Sequence, residues 1–350
     1  MASAPKDAPQ AVHFRPYRGG DEKALVALWN RCLPADPISD RVFLEKVLCD
    51  ANFDPEGLIV AEDPAHPSEL TGFVLALVRR LPLWGDDLEP ENAWVTAFGV
   101  DPQWRRQGIG RRLLQLAEDF ARARGRKTLY FASYAPNYFV PGLDAALYPE
   151  GAAFLQSLGF STVYPCVAMD RALVGYALPP EVASLRAQRE KEGYRFGPLT
   201  VDRVAETIRF ANEAFNPDWG RAIREAILRG VPLHQILIAT DCRPNAVADQ
   251  ERNAAGQPQH GRVVGFAMYG AYDGVGERFG PFGVAESQRG LGLGKILLHL
   301  TMHEMRARGL HSSWFLWTGE DSPAGHLYLS AGYHITRRFN VLKKSLAESR

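Results

Sequence analysis

The chain has 350 residues, with 40 basic and 40 acidic side chains, a formal net charge of zero and 46% hydrophobic residues. That length accommodates two domains with cores of their own, and the balanced charge gives no reason to expect bulk binding to nucleic acid or to a membrane surface. No run of about eighteen apolar residues is present to make a transmembrane helix, and the four cysteines (Cys32, Cys49, Cys166, Cys242) are scattered without a CxxC pair, as in a reduced, cytoplasmic protein with inert thiols.

Met1 to Ala11 is polar, carries prolines and has no apolar signal core, so it reads as a loose tail. Val12 to Tyr17 reads as a strand. Gly20-Asp21 opens a helix carrying Leu25, Leu28 and Trp29, and Ser39 is placed to cap a second helix with Phe43, Val47 and Leu48 on one face. Leu58 to Ala61, Phe73 to Val78 and Trp94 to Val100 read as strands. A helix with the stripe Ile109, Leu113, Leu116, Ala117 and Phe120 follows, then a strand from Thr128 to Ser133, a helix around Gly151 to Leu158 and a strand from Ser161 to Met169.

Leu178-Pro179-Pro180 starts a linker, and the charged run Glu181 to Glu192 predicts a surface helix. Then the pattern restarts. Tyr194 to Leu199 is a strand, Val201 to Phe215 a helix, and Pro217-Asp218-Trp219 leads into another helix reaching about Leu228. Gln235 to Ala239 and Val263 to Tyr269 are strands, separated by the polar insertion Arg243 to Gly261, which we expect to be a mobile loop. A strand ending at Val284, a helix to Gly309, a strand from Ser312 to Trp317, a short helix from Pro323 to Ser330 and a strand from Ile335 to Leu342 complete the chain.

Both halves contain a strand that runs into a glycine-rich turn and a helix. In the first, Phe98-Gly99-Val100 precedes Arg105-Arg106-Gln107-Gly108-Ile109-Gly110-Arg111, and the helix stops at Gly125. In the second, Phe282-Gly283-Val284 precedes Arg289-Gly290-Leu291-Gly292-Leu293-Gly294-Lys295, and the helix stops at Gly309. Val284 minus Val100, Arg289 minus Arg105, Gly294 minus Gly110 and Gly309 minus Gly125 all give 184, so the two turns are in register and an internal duplication is the simplest account. Each turn offers unpaired N–H groups and the positive end of a helix dipole to a phosphate or pyrophosphate, reinforced by arginine or lysine. A Walker A loop is excluded because Arg289 stands where its first glycine belongs and Ile296 follows Lys295. The dinucleotide fingerprint is excluded because Leu297 stands where its third glycine belongs.

Each half thus reads strand, two helices, three strands, helix, strand, helix, strand. With Arg-x-x-Gly-x-Gly at Arg105 to Gly110 and again at Arg289 to Gly294, the chain resembles the GNAT (GCN5-related) N-acetyltransferase superfamily over nearly its whole length, in the tandem architecture of mycothiol synthase. The resemblance implies an α/β mixed-sheet protein of two tandem GNAT folds. They would occupy residues 12–173 and 194–350, joined by a linker with a charged helix at 174–193. It also implies acetyl-CoA as cosubstrate, with its pyrophosphate on Arg105 to Arg111 and on Arg289 to Lys295. Its pantetheine arm and thioester would lie along Phe98, Gly99 and Val100 and along Phe282, Gly283 and Val284, where the strands on either side of the turn splay apart. No metal is implied.

In this family a tyrosine in the short helix, four residues before a Gly-aromatic pair, often protonates the leaving thiolate. Tyr328, four before Gly332-Tyr333, fits that place, whereas the first half has Leu155 four before Gly159-Phe160. The resemblance therefore puts catalysis mainly in the second half. Asp321 departs from the asparagine that many members carry seven before the tyrosine, and a carboxylate cannot donate as an amide does. Glu277 stands where some members keep a general base; a solvated strand-end carboxylate is the other reading. The segment between Tyr130 and Tyr148 is long for the family. It either walls a substrate pocket, with Tyr134 lining it and Asp144 or Glu150 drawing an ammonium, or packs as an insert.

The expectation is an N-acetyltransferase for the primary amine of a small molecule, monomeric or homodimeric. The alternatives are acetylation of a protein lysine or N-terminus, and a non-catalytic acyl-CoA sensor or scaffold.

Overall fold

The computed structural model describes residues 12–243 and 261–347, so the N-terminal tail and nearly all of the polar insertion lie outside the described residues. Two compact units result: residues up to Cys166 together with those from Arg338 onward, and Val167–Arg337. Compared with the halves 12–173 and 194–350, the difference at the last strand of each half is an exchange. The end of the first half's last strand belongs to the second unit, and the end of the chain belongs to the first.

The elements run β1 (His13–Pro16), α1 (Glu22–Cys32), α2 (Asp40–Phe43), β2 (Leu58–Asp63), β3 (His66–Leu77), β4 (Asn92–Val100), α3 (Ile109–Ala123), β5 (Thr128–Phe131), α4 (Pro149–Ser157), β6 (Ser161–Ala172), α5 (Pro180–Lys191), β7 (Tyr194–Pro198), α6 (Val204–Ala214), α7 (Pro217–Leu228), β8 (Ile236–Asp241), β9 (Arg262–Tyr269), β10 (Phe279–Val284), α8 (Leu293–Ala307), β11 (Ser312–Thr318), α9 (Pro323–Ser330) and β12 (His334–Ser345). The order is the one expected, with shifts of a few residues at most ends and β3 beginning at His66 rather than Phe73. The Ser39 hydroxyl does cap α2, accepting from the Val42 amide, and the helix continues as a π-turn over Leu44–Leu48.

In the first unit β1 to β4 pair antiparallel in chain order, and β4 pairs parallel with β5. The far side of β5 is covered by the end of β12, with Leu342 opposite Phe131 and Ser345 opposite Thr128. One face carries α3, whose Ile109, Leu113, Leu114, Ala117, Phe120 and Ala121 are buried at helical spacing. The other carries α1, with Leu25, Leu28 and Trp29. Each such large side chain taken from water contributes about 1.5–3 kcal/mol.

In the second unit β7 to β10 pair antiparallel in chain order, and β11 pairs with residues 167–172 of β6. α8 lies on one face through Leu293, Ile296, Leu297 and Met302. On the other, Phe210, Phe215 and Trp219 of α6, α7 and their connection surround Phe266. Both long helices end alike. The Gly125 and Gly309 residues are left-handed, and the next amides, Arg126 and Leu310, reach back to the Ala121 and Met305 carbonyls.

Candidate functional site

Each glycine turn forms because the chain must leave a strand and enter a helix within a few residues, which calls for positive φ. In the second turn Gly290 (80°) and Gly292 (76°) supply it. In the first, Gly108 (84°) does so with Arg106 (65°), a side-chain-bearing residue held where glycine is favoured. The later glycine of each motif serves close approach. A Cβ on Gly110 would stand 3.2 Å from both the Phe98 and Phe154 rings, and one on Gly294 would stand 3.3 Å from the Phe282 ring, so glycine lets the helix start lie directly against the strand.

The first helical hydrogen bonds run from Arg112 to Gly108 and from Ile296 to Gly292. Among the described residues, the amides of Arg106 through Arg111 and of Gly290 through Lys295 have no protein acceptor. Two successive sets of unpaired N–H groups therefore sit at helix starts, as a diphosphate requires. Arg105, Arg106, Gln107, Arg111 and Arg112 are exposed around the first turn, with Arg105 paired to Glu150 at 3.2 Å. Arg289 is exposed and Lys295 half-buried at the second.

The strands beside the turns diverge as the resemblance implies. In the first unit the ladder between β4 and β5 ends at Val95 and Phe131, with Ala132 N–H donating to the Val95 carbonyl, while β4 runs on through Phe98, Gly99 and Val100. In the second, β10 and β11 meet at one bridge, Arg278 with Trp314, where Trp314 N–H donates to the Glu277 carbonyl at 3.0 Å. Past that bridge β11 follows β6, and Phe282, Gly283 and Val284 lie on the open side. Gly283 is obligatory there, since a Cβ would fall 2.4 Å from the Phe215 ring.

Tyr328 of α9 is buried in the core of the second unit, among aromatic rings of β10 and β11. Its ring centroid is 4.3 Å from that of Phe315, 5.5 Å from Tyr333, 6.0 Å from Phe282 and 6.1 Å from Phe279. No described residue hydrogen-bonds its hydroxyl, whereas the neighbouring Tyr333 hydroxyl is engaged with Ser313 at 2.6 Å. Burial, with a smaller contribution from Tyr333, raises the Tyr328 pKa well above the ordinary tyrosine value, so the hydroxyl stays protonated. The corresponding Leu155 is likewise buried in its unit's core but carries no hydroxyl. Glu277 is half-buried in the turn before β10, on the closed side of the Arg278–Trp314 bridge.

The long segment of the first half folds onto its own unit. Tyr134 is buried, accepts from the Asn52 amide at 2.7 Å and donates to Asp50 at 3.1 Å. Asn137 donates to the Lys46 carbonyl and to Asp50, and the Lys46 ammonium donates to the Tyr138 carbonyl. Asp144 is buried and accepts the Ala146 and Leu147 amides, each at 3.1 Å, while Leu143 pairs with Asn340. The segment is thus knitted to the π-turn after α2, to Asp50 and Asn52 beyond it and to the end of the chain, with both partners of the Tyr134 hydroxyl supplied by the fold.

The linker helix lies at the surface as expected, with most of its residues exposed, but one side of it is engaged. Val182 of α5 is fully buried, Leu185 lies against Gly292 and Arg189 donates to the Leu291 carbonyl at 2.7 Å. The spacing 182, 185, 189 is one helical face, legible in the sequence but obscured by the charges around it.

Comparison with known proteins agrees with this geometry. The model of the Acetyltransferase (GNAT) family matches residues 23–140 and 232–333. A mycothiol acetyltransferase of Thermobifida fusca is 30% identical over 267 residues, covering 71% of this chain and 72% of that protein. One of Pseudarthrobacter chlorophenolicus is 24% identical over 287 residues, covering 77% and 73%. Among solved structures, a GCN5-related N-acetyltransferase of Sphaerobacter thermophilus has a TM-score of 0.69 at 18% identity, covering 97% of both chains. A tandem GNAT protein from the clavulanic acid biosynthesis pathway has a TM-score of 0.61 at 18% identity, covering 97% of this chain and all of that one. With two turns, two splayed strand pairs and a family match on each half, the chain belongs to the GNAT acetyltransferase family as a tandem member.

Proposed function

We propose that the protein transfers the acetyl group of acetyl-CoA directly to the primary amine of a small molecule, with the chemistry in the second half. The observation that carries this reading is Tyr328, a protonated hydroxyl without a protein partner among the described residues, held among the aromatic rings of β10 and β11 in the half that has it. The small-molecule acceptor is supported by the relatives named mycothiol acetyltransferase.

In the proposed reaction, acetyl-CoA lies with its diphosphate on the amides of Gly290 to Lys295 and its thioester beside Phe282. A neutral amine attacks the thioester carbonyl, the C–N bond forms and the C–S bond breaks. The Tyr328 hydroxyl donates to the departing thiolate, giving CoA thiol, and the proton lost from the attacking nitrogen leaves through water or a carboxylate and restores Tyr328. Glu277 is the carboxylate just before β10. Its position behind the bridge favours a water chain over direct proton abstraction.

The test is Tyr328→Phe assayed against a panel of amines, with acetyl-CoA binding measured on the same preparation. Turnover should fall about a hundredfold, within the usual range for a general acid, while acetyl-CoA affinity is unchanged. Unaltered turnover removes Tyr328 from the mechanism. Absence of turnover with every amine in the wild-type protein, despite binding, favours a sensor or scaffold.

A further inference from the structure

The second glycine turn is held in its shape by a residue outside the motif. Arg189, on the linker helix α5, donates through Nε to the Leu291 carbonyl at 2.7 Å, and its own orientation is fixed by Glu192, 2.5 Å from Nη1. In a trans peptide the carbonyl of one residue and the N–H of the next point in opposite directions. Holding the Leu291 carbonyl toward α5 therefore turns the Gly292 N–H away from α5, to the side where the amides up to Lys295 have no acceptor among the described residues. Leu185, one helical turn earlier on α5, closes the same contact from the Cα side: a Cβ on Gly292 would lie 2.7 Å from its Cδ2.

The first turn has no such support. Gln107, which matches Leu291 at the 184-residue offset, has no donor to its carbonyl among the described residues, and a Cβ on Gly108 would meet nothing within 4 Å. A turn free to rotate its peptides must be ordered by the ligand, whereas a turn already held presents its donors at no such cost.

We propose that Arg189 is a positioning residue for the second acyl-CoA site: through the Leu291–Gly292 peptide it presets the amides that receive the diphosphate, and so makes the second turn the tighter of the two. This rests on the reading of that turn as an acyl-CoA cradle. It makes the charged helix between the halves part of the binding site.

The experiment is calorimetric titration of the full chain with acetyl-CoA in a Gly108→Glu background, which blocks the first turn, comparing Arg189, Arg189→Ala and Arg189→Lys. It is joined to steady-state kinetics and to hydrogen exchange of the peptide spanning Leu291 to Ile296. The expected result is an approximately tenfold weaker Kd and a matching rise in KM for Arg189→Ala, with kcat retained, faster exchange at the turn and partial recovery in Arg189→Lys. If Arg189→Ala does not fold, Arg189→Lys alone must show an intermediate loss. Binding and exchange equal to the parent in either folded variant overturn the proposal. Loss of all acetyl-CoA binding on Gly108→Glu alone overturns the cradle reading itself, and with it the role of Arg189.

Discussion

The two glycine turns share a motif, a register and a helix stop, yet their surroundings differ in three respects. The first turn stands open, with Arg106 in a left-handed conformation and four exposed arginines around it. The second has glycine at the matching position, Leu185 and Arg189 packed behind it, and a tyrosine where the first half has leucine. The two copies thus share a backbone shape suited to a phosphate and differ in what lies behind and beyond it. Anion binding by backbone amides depends on main-chain shape alone, but proton transfer depends on one side chain. The second is therefore lost or gained by a single substitution.

The largest contrast is expected between the two short helices. Tyr328→Phe should lower turnover about a hundredfold, whereas Leu155→Met, a volume-conserving change in the first unit's core, should leave turnover within about twofold of the parent. Equal losses would mean that both halves act on one reaction. The pH profile sharpens this point: because burial raises the Tyr328 pKa above its ordinary value, its contribution should hold through pH 10 and fall only at higher pH, so an alkaline limb below that belongs to another group.

The turns themselves come next. Alanine at Gly108 or Gly292 must adopt positive φ, at a cost of about 1–2 kcal/mol. Gly292→Ala also meets Leu185, and Gly108→Ala meets nothing. Thermal or denaturant unfolding should show the larger loss for Gly292→Ala and partial recovery when Leu185→Ala is added, whereas Leu185→Ala should not rescue Gly108→Ala. Additivity of Gly292→Ala with Leu185→Ala would show that the linker helix does not brace the turn.

The smallest effect is expected in the long segment of the first half. Tyr134→Phe removes the hydroxyl between Asn52 and Asp50 and should cost about 1 kcal/mol of stability, with the amine KM unchanged. A KM shift without a stability loss would favour the segment as the wall of an acceptor pocket over a packing insert.

Fold class, element order and both turns were legible in the sequence, because each rests on local chemistry. Ser39 caps the helix it precedes, Gly125 and Gly309 end theirs, and Arg-x-x-Gly-x-Gly recurs at a constant offset in which each glycine has a backbone task. The split between Tyr328 and Leu155 was legible for the same reason, being a residue identity at a fixed distance from a Gly-aromatic pair. Tertiary structure decided matters that depend on non-local partners. The end of β12 completes the first unit because its residues pair with β5, more than 200 positions earlier, which strand periodicity cannot specify. Tyr134 and Asp144 hold their own fold because Asp50, Asn52 and the Ala146 and Leu147 amides come to them. The linker helix looked like a solvated charged helix. Only packing shows that its Leu185 and Arg189 meet the second turn while Val182 on the same side is buried, because the composition of a helix does not say which neighbour its narrow apolar stripe will meet.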